Sequence, residues 1–177
     1  MDGENPTSGD CQPYSFFYFG LIVTGKSERE HLPKLFRTLM ATGICTFEVI
    51  RRVDQLRPIT SKERLKGIHN GRDILDKDEK IGLEARKYLT TDACHFVVLV
   101  DDLEHDRRDQ AQQVFGRYRL ALDMLLTLDQ KHRASVHFLV IMLEAYYFAD
   151  AKAINAVLGT SLTDYEGDVE AIRSPIG

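Results

Sequence analysis

An unbroken apolar segment that ends in two aspartates constrains this chain more than any other feature of its sequence. Residues 95–100 read HFVVLV, and Asp101 and Asp102 follow them directly. A strand without polar alternation is typical of a parallel sheet that is covered on both faces. Ligands of such sheets bind at the carboxyl ends of the strands. The segment therefore predicts a fold class and also the place of a functional site.

The other strand patterns alternate with helical patterns along the chain. Strands are predicted over Tyr14–Val23, Thr46–Val53, His95–Val100 and Val136–Met142. Helices are predicted from Glu28 onward and over Asp78–Leu89, Arg108–Asp129 and Ala151–Leu158. At the first helix, Ser27 and Glu30 match a capping box, and Pro33 predicts a kink or a tight first turn. The alternation predicts an α/β, three-layer fold with a mainly parallel central sheet.

The length of 177 residues fits one domain. Residues 1–13 are rich in small and acidic residues, which predicts a flexible N-terminal arm before a single α/β domain over residues 14–177. The apolar runs are far shorter than the about 20 residues of a membrane-spanning helix. No basic segment follows Met1, and the three cysteines show no CxxC spacing. These features predict a cytoplasmic protein without a zinc site or a disulfide framework.

Positive charge is concentrated in one stretch of an acidic chain. The net charge is −4, yet residues 51–72 carry seven basic residues against Asp54 and Glu63. Such a stretch predicts a surface that faces phosphates, with Arg51 and Arg52 as candidate nucleic-acid-binding residues. The alternative is a solvated loop and helix face.

Acidic residues follow three of the four predicted strands. They are Glu28 after the first strand, Asp101, Asp102 and Glu104 after the third, and Glu144 after the fourth. Carboxylates gathered at one sheet edge repel each other unless a cation neutralises them, and oxygen ligands suit Mg²⁺ or Mn²⁺. We predict that the first four bind this metal and that Glu28 and Glu144 are catalytic. The alternative is that such acids cap helices.

Basic residues near the same predicted edge are candidates for phosphate binding. Lys26 lies in a Gly-containing turn before a helix N-terminus, where backbone N–H groups favour an anion. The turn lacks the glycine spacing of a Walker A motif, so Lys26 is assigned to stabilising charge on a reacting phosphate. Arg107 and Arg108 either bind a nucleic-acid phosphate or neutralise Asp102 and Asp106.

Four segments resemble motifs of known families. LIVTGKSE at Leu21–Glu28 resembles the LIVEGxxD/E motif of Toprim domains, and HFVVLVDD at His95–Asp102 resembles their acidic second motif. MLEAYYFAD at Met142–Asp150 and GDVEAIRSP at Gly167–Pro175 resemble two stretches of the DUF4276 family, which is Toprim-like. The resemblance spans most of residues 15–175.

The resemblance implies a Toprim-like fold and metal-dependent phosphodiester chemistry. Relatives with this fold include topoisomerases, primases and nucleases of the OLD (overcoming lysogenisation defect) type. The resemblance also implies that Glu28, Asp101 and Asp102 lie near Mg²⁺, with Glu144 as a further acid. It further implies a neighbouring ATPase of the SMC or ABC type in a bacterial phage-defence system.

The chain departs from the Toprim pattern in several places. Thr24 stands where the first motif has glutamate, so that carboxylate is missing. Residues 101–104 read DDLE, where the motif reads DxD. The family continues past a basic segment that this chain lacks, and an incomplete C-terminal part of the domain is therefore expected.

Two main functions follow from these features. The first is a Mg²⁺-dependent nuclease that hydrolyses DNA or RNA, as the effector of a phage-defence system with an ATPase partner. The second is a non-catalytic Toprim-like scaffold bound to an ATPase, which Thr24 and the acidic net charge favour. A nucleotide phosphatase or phosphotransferase is a third hypothesis. A homo-oligomer is compatible with each of them.

Overall fold

The four predicted strands form one all-parallel sheet. The computed structural model describes residues 16–60, 75–103, 105–140, 151–159, 161–163 and 166–167. Its strands are β1 (Phe17–Val23), β2 (Cys45–Arg52), β3 (His95–Leu103) and β4 (Ala134–Val140). Their order in the sheet is β2-β1-β3-β4, and every neighbouring pair is parallel. The predicted α/β class and parallel central sheet are confirmed.

Helices connect the strands of the sheet in sequence. Between β1 and β2 lie α1 (Lys26–Leu35) and α2 (Arg37–Met40), and α3 (Asp76–Leu89) precedes β3. A 3-10 helix (His105–Gln110), α4 (Ala111–Asp123) and α5 (Leu128–His132) lie between β3 and β4. Beyond β4, the structure describes α6 (Ala151–Leu158).

Two apolar cores cover the two faces of the sheet and make the fold three-layered. On one face, Leu32 of α1 packs with Leu21 and Val100 of the sheet. On the opposite face, Tyr118 of α4 belongs to a larger core that includes Ile22 and residues of α3. After β1, the chain adds β2 on one side of it and then crosses to the other side to add β3 and β4. The direction in which strands are added therefore reverses between β1 and β3. Such a switch point is where open parallel sheets bind ligands.

The start of α1 differs from the prediction. The helix begins at Lys26, two residues before the predicted start at Glu28, and its N-cap is Gly25 without a side-chain cap. The predicted capping box of Ser27 and Glu30 is therefore wrong, because both residues already lie inside the helix.

The long helix predicted over Arg108–Asp129 is broken into three pieces. The chain leaves α4 after Asp123, and a new helix begins after Thr127. The Thr127 hydroxyl accepts the Gln130 N–H at 3.3 Å, and the Gln130 side chain accepts the Thr127 N–H at 3.1 Å. This capping box starts α5, so a local signal overrides the continuous apolar stripe.

Two other helix ends follow from single residues. The Phe36 N–H donates to the Pro33 carbonyl at 3.2 Å, so the proline turns the chain at the end of α1 and not in its first turn. Gly159 ends α6 with a positive φ of 64°, and its N–H donates to the Asn155 carbonyl at 2.9 Å. The predicted glycine end of this helix is confirmed.

Two further findings concern membrane-spanning segments and cysteines. No helix in the described parts of the chain has the length and apolar character needed to cross a membrane. Cys45 is a free, buried thiol, whereas Cys94 is disulfide-bonded. The sequence predicts no disulfide framework, and the bond at Cys94 was not expected from it, because cysteine spacing reveals only local motifs.

Candidate functional site

The carboxyl ends of β1 and β3 lie side by side. Val23 pairs with Val100, and Thr24 follows at the end of β1. The Thr24 hydroxyl donates to Asp101 Oδ1 at 2.9 Å and accepts the Asp102 N–H at 3.3 Å. The predicted convergence of the residues after these two strands is confirmed.

Asp101 is completely buried, and protein groups compensate its charge. Arg107 Nη2 donates to Asp101 Oδ2 at 2.9 Å, and the side chains of this ion pair are 6% and 0% exposed. The Tyr118 hydroxyl donates to the same oxygen at 3.2 Å. Burial and the negative charge of Asp101 raise the pKa of Tyr118 far above its usual range, so this hydroxyl stays a donor. We call Thr24, Asp101, Arg107 and Tyr118 the Asp101 node.

The two aspartates point to opposite faces of the sheet. β3 extends to Leu103, beyond its predicted end at Val100, so both aspartates are strand residues and not loop residues. Successive strand side chains alternate between faces. Since Asp101 contacts α4 through Tyr118, Asp102 points to the face covered by α1. The two carboxylates are therefore not brought together as a pair of ligands for one cation.

Glu28 is a second buried carboxylate at this edge. It lies in the first turn of α1 and is 2% exposed, and its Oε2 has no hydrogen-bond partner among the described residues. The carboxylate folds back against Gly25, where a built Cβ would overlap Glu28 Oε2. The positive end of the α1 dipole offsets only part of the free-energy cost of burying this negative charge. A buried carboxylate oxygen without a donor is costly and marks a place where a cation fits.

A cation held by few protein ligands fits this arrangement better than the predicted cluster of four acids. Within the part of the chain that the structure describes, no three His, Cys, Asp or Glu side chains are grouped to hold a metal. Mg²⁺ commonly uses only one or two carboxylates, with water and substrate phosphate as further ligands. Glu28 packs against Gly25, and the Asp102 N–H bonds to the adjoining Thr24. Among the described residues, Glu28 and Asp102 are therefore the candidate ligands for Mg²⁺ on the α1 side of this edge.

Exposed basic residues surround the same edge. Lys26 is the first residue of α1, Arg52 pairs with the last residue of β1, and Arg108 lies in the 3-10 helix after β3. All three side chains are exposed. Arg51 is also exposed, but its guanidinium lies 3.6 Å from the Glu84 carboxylate of α3. These positions leave Lys26, Arg52 and Arg108 accessible to an anionic ligand.

Arg107 does not belong to this exposed group. Besides Asp101, it donates to the carbonyls of Leu56 at 2.8 Å and Asp102 at 3.1 Å. The prediction that Arg107 binds a nucleic-acid phosphate is wrong in this structure, because the guanidinium is buried and used internally. The alternative role, neutralising an acid, fits, and that acid is Asp101.

A short strap, residues 53–57, crosses the carboxyl ends of β1 and β3 and was not foreseen from the sequence. Val53 and Gln55 donate to backbone carbonyls at the ends of these strands, at 2.9 and 3.0 Å. Leu56 is buried, and both of its backbone polar groups bond to side chains of the Asp101 node. The only sequence signal for the strap is a single leucine between polar residues.

Several predicted site residues lie outside the described residues. They are Glu104 and Glu144, together with the segment 141–150 and residues 168–175 of the DUF4276 resemblance. The predicted roles of these residues stay predictions.

Comparison with known proteins identifies no relative of this chain. No protein family model, no curated protein and no solved structure matches it.

Replacing Gly25 by alanine is expected to lower the free energy of unfolding by about 0.5–1.5 kcal/mol, because alanine is a poorer N-cap than glycine and the end of the Glu28 side chain must shift away from the new Cβ. Gly116→Ala is the matched control, because Gly116 is an exposed residue of α4 and no neighbouring atom of the described residues lies within 4 Å of a built Cβ. The control should gain about 0.5–1 kcal/mol from the better helix former. Denaturant titration measures both, and a stabilised Gly25→Ala variant would contradict the placement of Glu28.

Proposed function

We propose that this protein is a Mg²⁺-dependent nuclease that hydrolyses phosphodiester bonds in DNA or RNA at the carboxyl ends of β1 and β3. The observation that carries the proposal is the buried Glu28 carboxylate, whose Oε2 has no partner among the described residues. A cation ligand is the simplest use of such an oxygen at the switch point of a parallel sheet. The resemblance of residues 21–28 and 95–102 to Toprim motifs supports the same chemistry.

Glu28 and Asp102 hold the cation in this proposal, and Mn²⁺ can replace Mg²⁺. When bound, the cation supplies Lewis-acid activation of the phosphodiester and of water. Lys26 and the backbone N–H groups of the first turn of α1 bind the phosphate oxygens and stabilise their charge. Glu104 and Glu144 are proposed as a further ligand and a further catalytic acid.

Asp101 acts as a positioning residue in this scheme and not as a ligand. It accepts the hydrogen bond of Thr24, which in turn accepts the Asp102 N–H. A glutamate at position 24 would place a second carboxylate against Asp101, with Arg107 as their shared counter-charge. Because Thr24 is neutral, the Asp101 node contains one arginine and one aspartate, and their charges balance.

A cleavage assay tests the proposed activity. Labelled single-stranded DNA, duplex DNA and RNA are incubated with the protein in Mg²⁺, Mn²⁺ or EDTA. Glu28→Gln and Asp102→Asn are expected to slow cleavage by about 10²–10³-fold, the cost typical of removing one charge-stabilising group. Glu30→Gln, an exposed position on the same helix, is the control and should retain the activity. Cleavage that persists in EDTA, or full activity of Glu28→Gln, would overturn the proposal.

In this proposal the protein acts as the effector of a phage-defence system with an ATPase partner of the SMC or ABC type, and the family resemblance supports this part. A cytoplasmic location is proposed from the sequence features of the chain. Adding the ATPase encoded beside the gene to the cleavage assay tests the partnership, and the expected result is faster cleavage that depends on ATP.

The buried ion pair favours a second candidate function, a non-catalytic scaffold for an ATPase. Asp101, which the Toprim resemblance assigns to the metal, is occupied by Arg107 at 2.9 Å. If the protein is a scaffold, it should form a stable complex with the ATPase. It should then cleave no nucleic acid with any metal, whether or not the ATPase is present.

A further inference from the structure

We infer that the strap is an interface for the sugar–phosphate backbone of a nucleic acid and that Asp101 positions this interface through Arg107 and Tyr118. The inference rests on the proposed function for the class of ligand. It concerns binding alone, so it can be tested without cleavage.

The centre of the strap is held by the two groups that also hold Asp101. The Leu56 N–H donates to the Tyr118 hydroxyl oxygen at 3.0 Å, and the Leu56 carbonyl accepts from Arg107 Nη2 at 2.8 Å. Both groups donate to Asp101 Oδ2. A single buried carboxylate therefore orients the donor and the acceptor that fix Leu56.

A second buried ion pair holds the end of the strap. Arg117 donates to both carboxylate oxygens of Asp78, at 2.7 and 2.9 Å, and this pair links α4 to α3. The remaining nitrogen, Arg117 Nη1, donates to the Arg57 carbonyl at 2.6 Å. The backbone of Arg57 is thus fixed, whereas its side chain is exposed.

The strap presents cations to solvent from this fixed backbone. Arg52 directly before it and Arg57 at its end are both exposed, with Asp54 as the exposed acid between them. Lys26 adds a third exposed cation at the end of β1. The chain as a whole has a net charge of −4, so this edge differs in sign from the average surface. Arginines bind phosphate oxygens through two donors at once, and a backbone ordered in advance lowers the entropy lost on binding.

Binding of a fluorescently labelled single-stranded oligonucleotide in EDTA, measured by anisotropy over a range of salt, tests the interface. The double variant Arg52→Ala, Arg57→Ala should bind about tenfold more weakly at 0.1 M salt. Its slope of log affinity against log salt should fall by about 1.4, since each phosphate contact with a single strand contributes about 0.7. Arg86→Ala, an exposed arginine of α3, is the matched control and should leave both quantities unchanged. Unchanged affinity and slope in the double variant would overturn the inference.

Tyr118→Phe tests the positioning role. It removes one hydroxyl and keeps every charge, so the bound complex still forms the same phosphate contacts. Hydrogen exchange at the Leu56 amide should accelerate at least about tenfold, because that N–H loses its acceptor. Affinity should fall about three- to tenfold while the salt slope stays the same, since the strap must be ordered on binding. Tyr88→Phe, whose hydroxyl instead bonds to Glu48, should change neither quantity.

The outcomes separate this inference from the proposed function. Oligonucleotide binding that depends on Arg52 and Arg57 without any cleavage would leave the interface standing and remove the nuclease. Cleavage by a protein whose affinity for the oligonucleotide does not depend on these arginines would support the nuclease and overturn the interface. Wild-type exchange at Leu56 in Tyr118→Phe would remove the positioning role of the node, and if that variant does not fold, the exposed arginine pair still decides the interface.

Discussion

Replacing Arg107 by alanine is expected to lower the free energy of unfolding by about 3–5 kcal/mol, the cost of leaving a buried charge without its partner. Asp101 is 0% exposed and, among the described residues, would keep only the hydroxyl donors of Thr24 and Tyr118. The change also removes the donor to the Leu56 carbonyl in the strap. A domain of this kind has about 5–15 kcal/mol of stability in total, so the variant loses a large part of it. Guanidinium titration with a spectroscopic probe measures the effect.

The matched double variant separates the charge from the packing. Arg107→Met keeps most of the side-chain volume but leaves Asp101 without its counter-charge. Adding Asp101→Asn to Arg107→Met removes both charges, so much of the stability lost in Arg107→Met should return. A single Arg107→Ala variant that loses less than about 1 kcal/mol, the range of a solvent-exposed pair, would show that the ion pair is not buried as the structure has it.

The second large effect concerns the response to metal. Wild-type protein should gain about 2.7 kcal/mol of stability when Mn²⁺ is present at one hundred times its dissociation constant. Glu28→Gln should lose this gain, because it removes the charged ligand. Without metal, the variant should be at least as stable as the wild type, since it removes a buried negative charge whose Oε2 has no hydrogen-bond partner among the described residues. Thermal unfolding of both proteins with Mn²⁺ and with EDTA measures the two effects.

Glu30→Gln is the control for this experiment, because Glu30 is an exposed acid on the same helix. It should keep the full response to Mn²⁺. If Glu28→Gln is stabilised by Mn²⁺ as much as the wild type, Glu28 is not a ligand. If it is strongly destabilised in EDTA, Glu28 has a structural partner.

The order of apolar segments predicts the sheet because strand formation is a local property. The run at residues 95–100 has no polar interruption, and it becomes β3, one of the two inner strands of the sheet. The end of that strand is set by tertiary contacts. Asp101 and Asp102 look like loop residues on their own, but they pair with β4, and Thr24 and Arg107 bond to them from outside β3. A helix end that depends on a short motif, such as the capping box of Thr127 and Gln130, can be predicted from the sequence.

The sequence predicts some of the residues that meet at the site, but it does not predict which basic residue neutralises which acid. The spacing places Thr24 and Asp101 at neighbouring strand ends, as the hydrogen bond between them confirms. Which basic residue neutralises an acid depends on the path of the chain in three dimensions. Arg107 and Arg108 are adjacent in sequence, yet one is buried against Asp101 and the other is exposed. The strap escaped prediction because it is held by side chains that are distant in the sequence.

The most direct test of the central claim is to locate a bound cation. Crystals grown with Mn²⁺ and measured at its absorption edge give an anomalous map in which the ion is identified independently of the protein. The account predicts a peak about 2.0–2.6 Å from a carboxylate oxygen of Glu28, the range of hard-cation bonds to oxygen. The same data from Glu28→Gln crystals should lack this peak. A map with no peak at Glu28, or a peak that persists in the variant, would contradict a metal site at the carboxyl ends of β1 and β3.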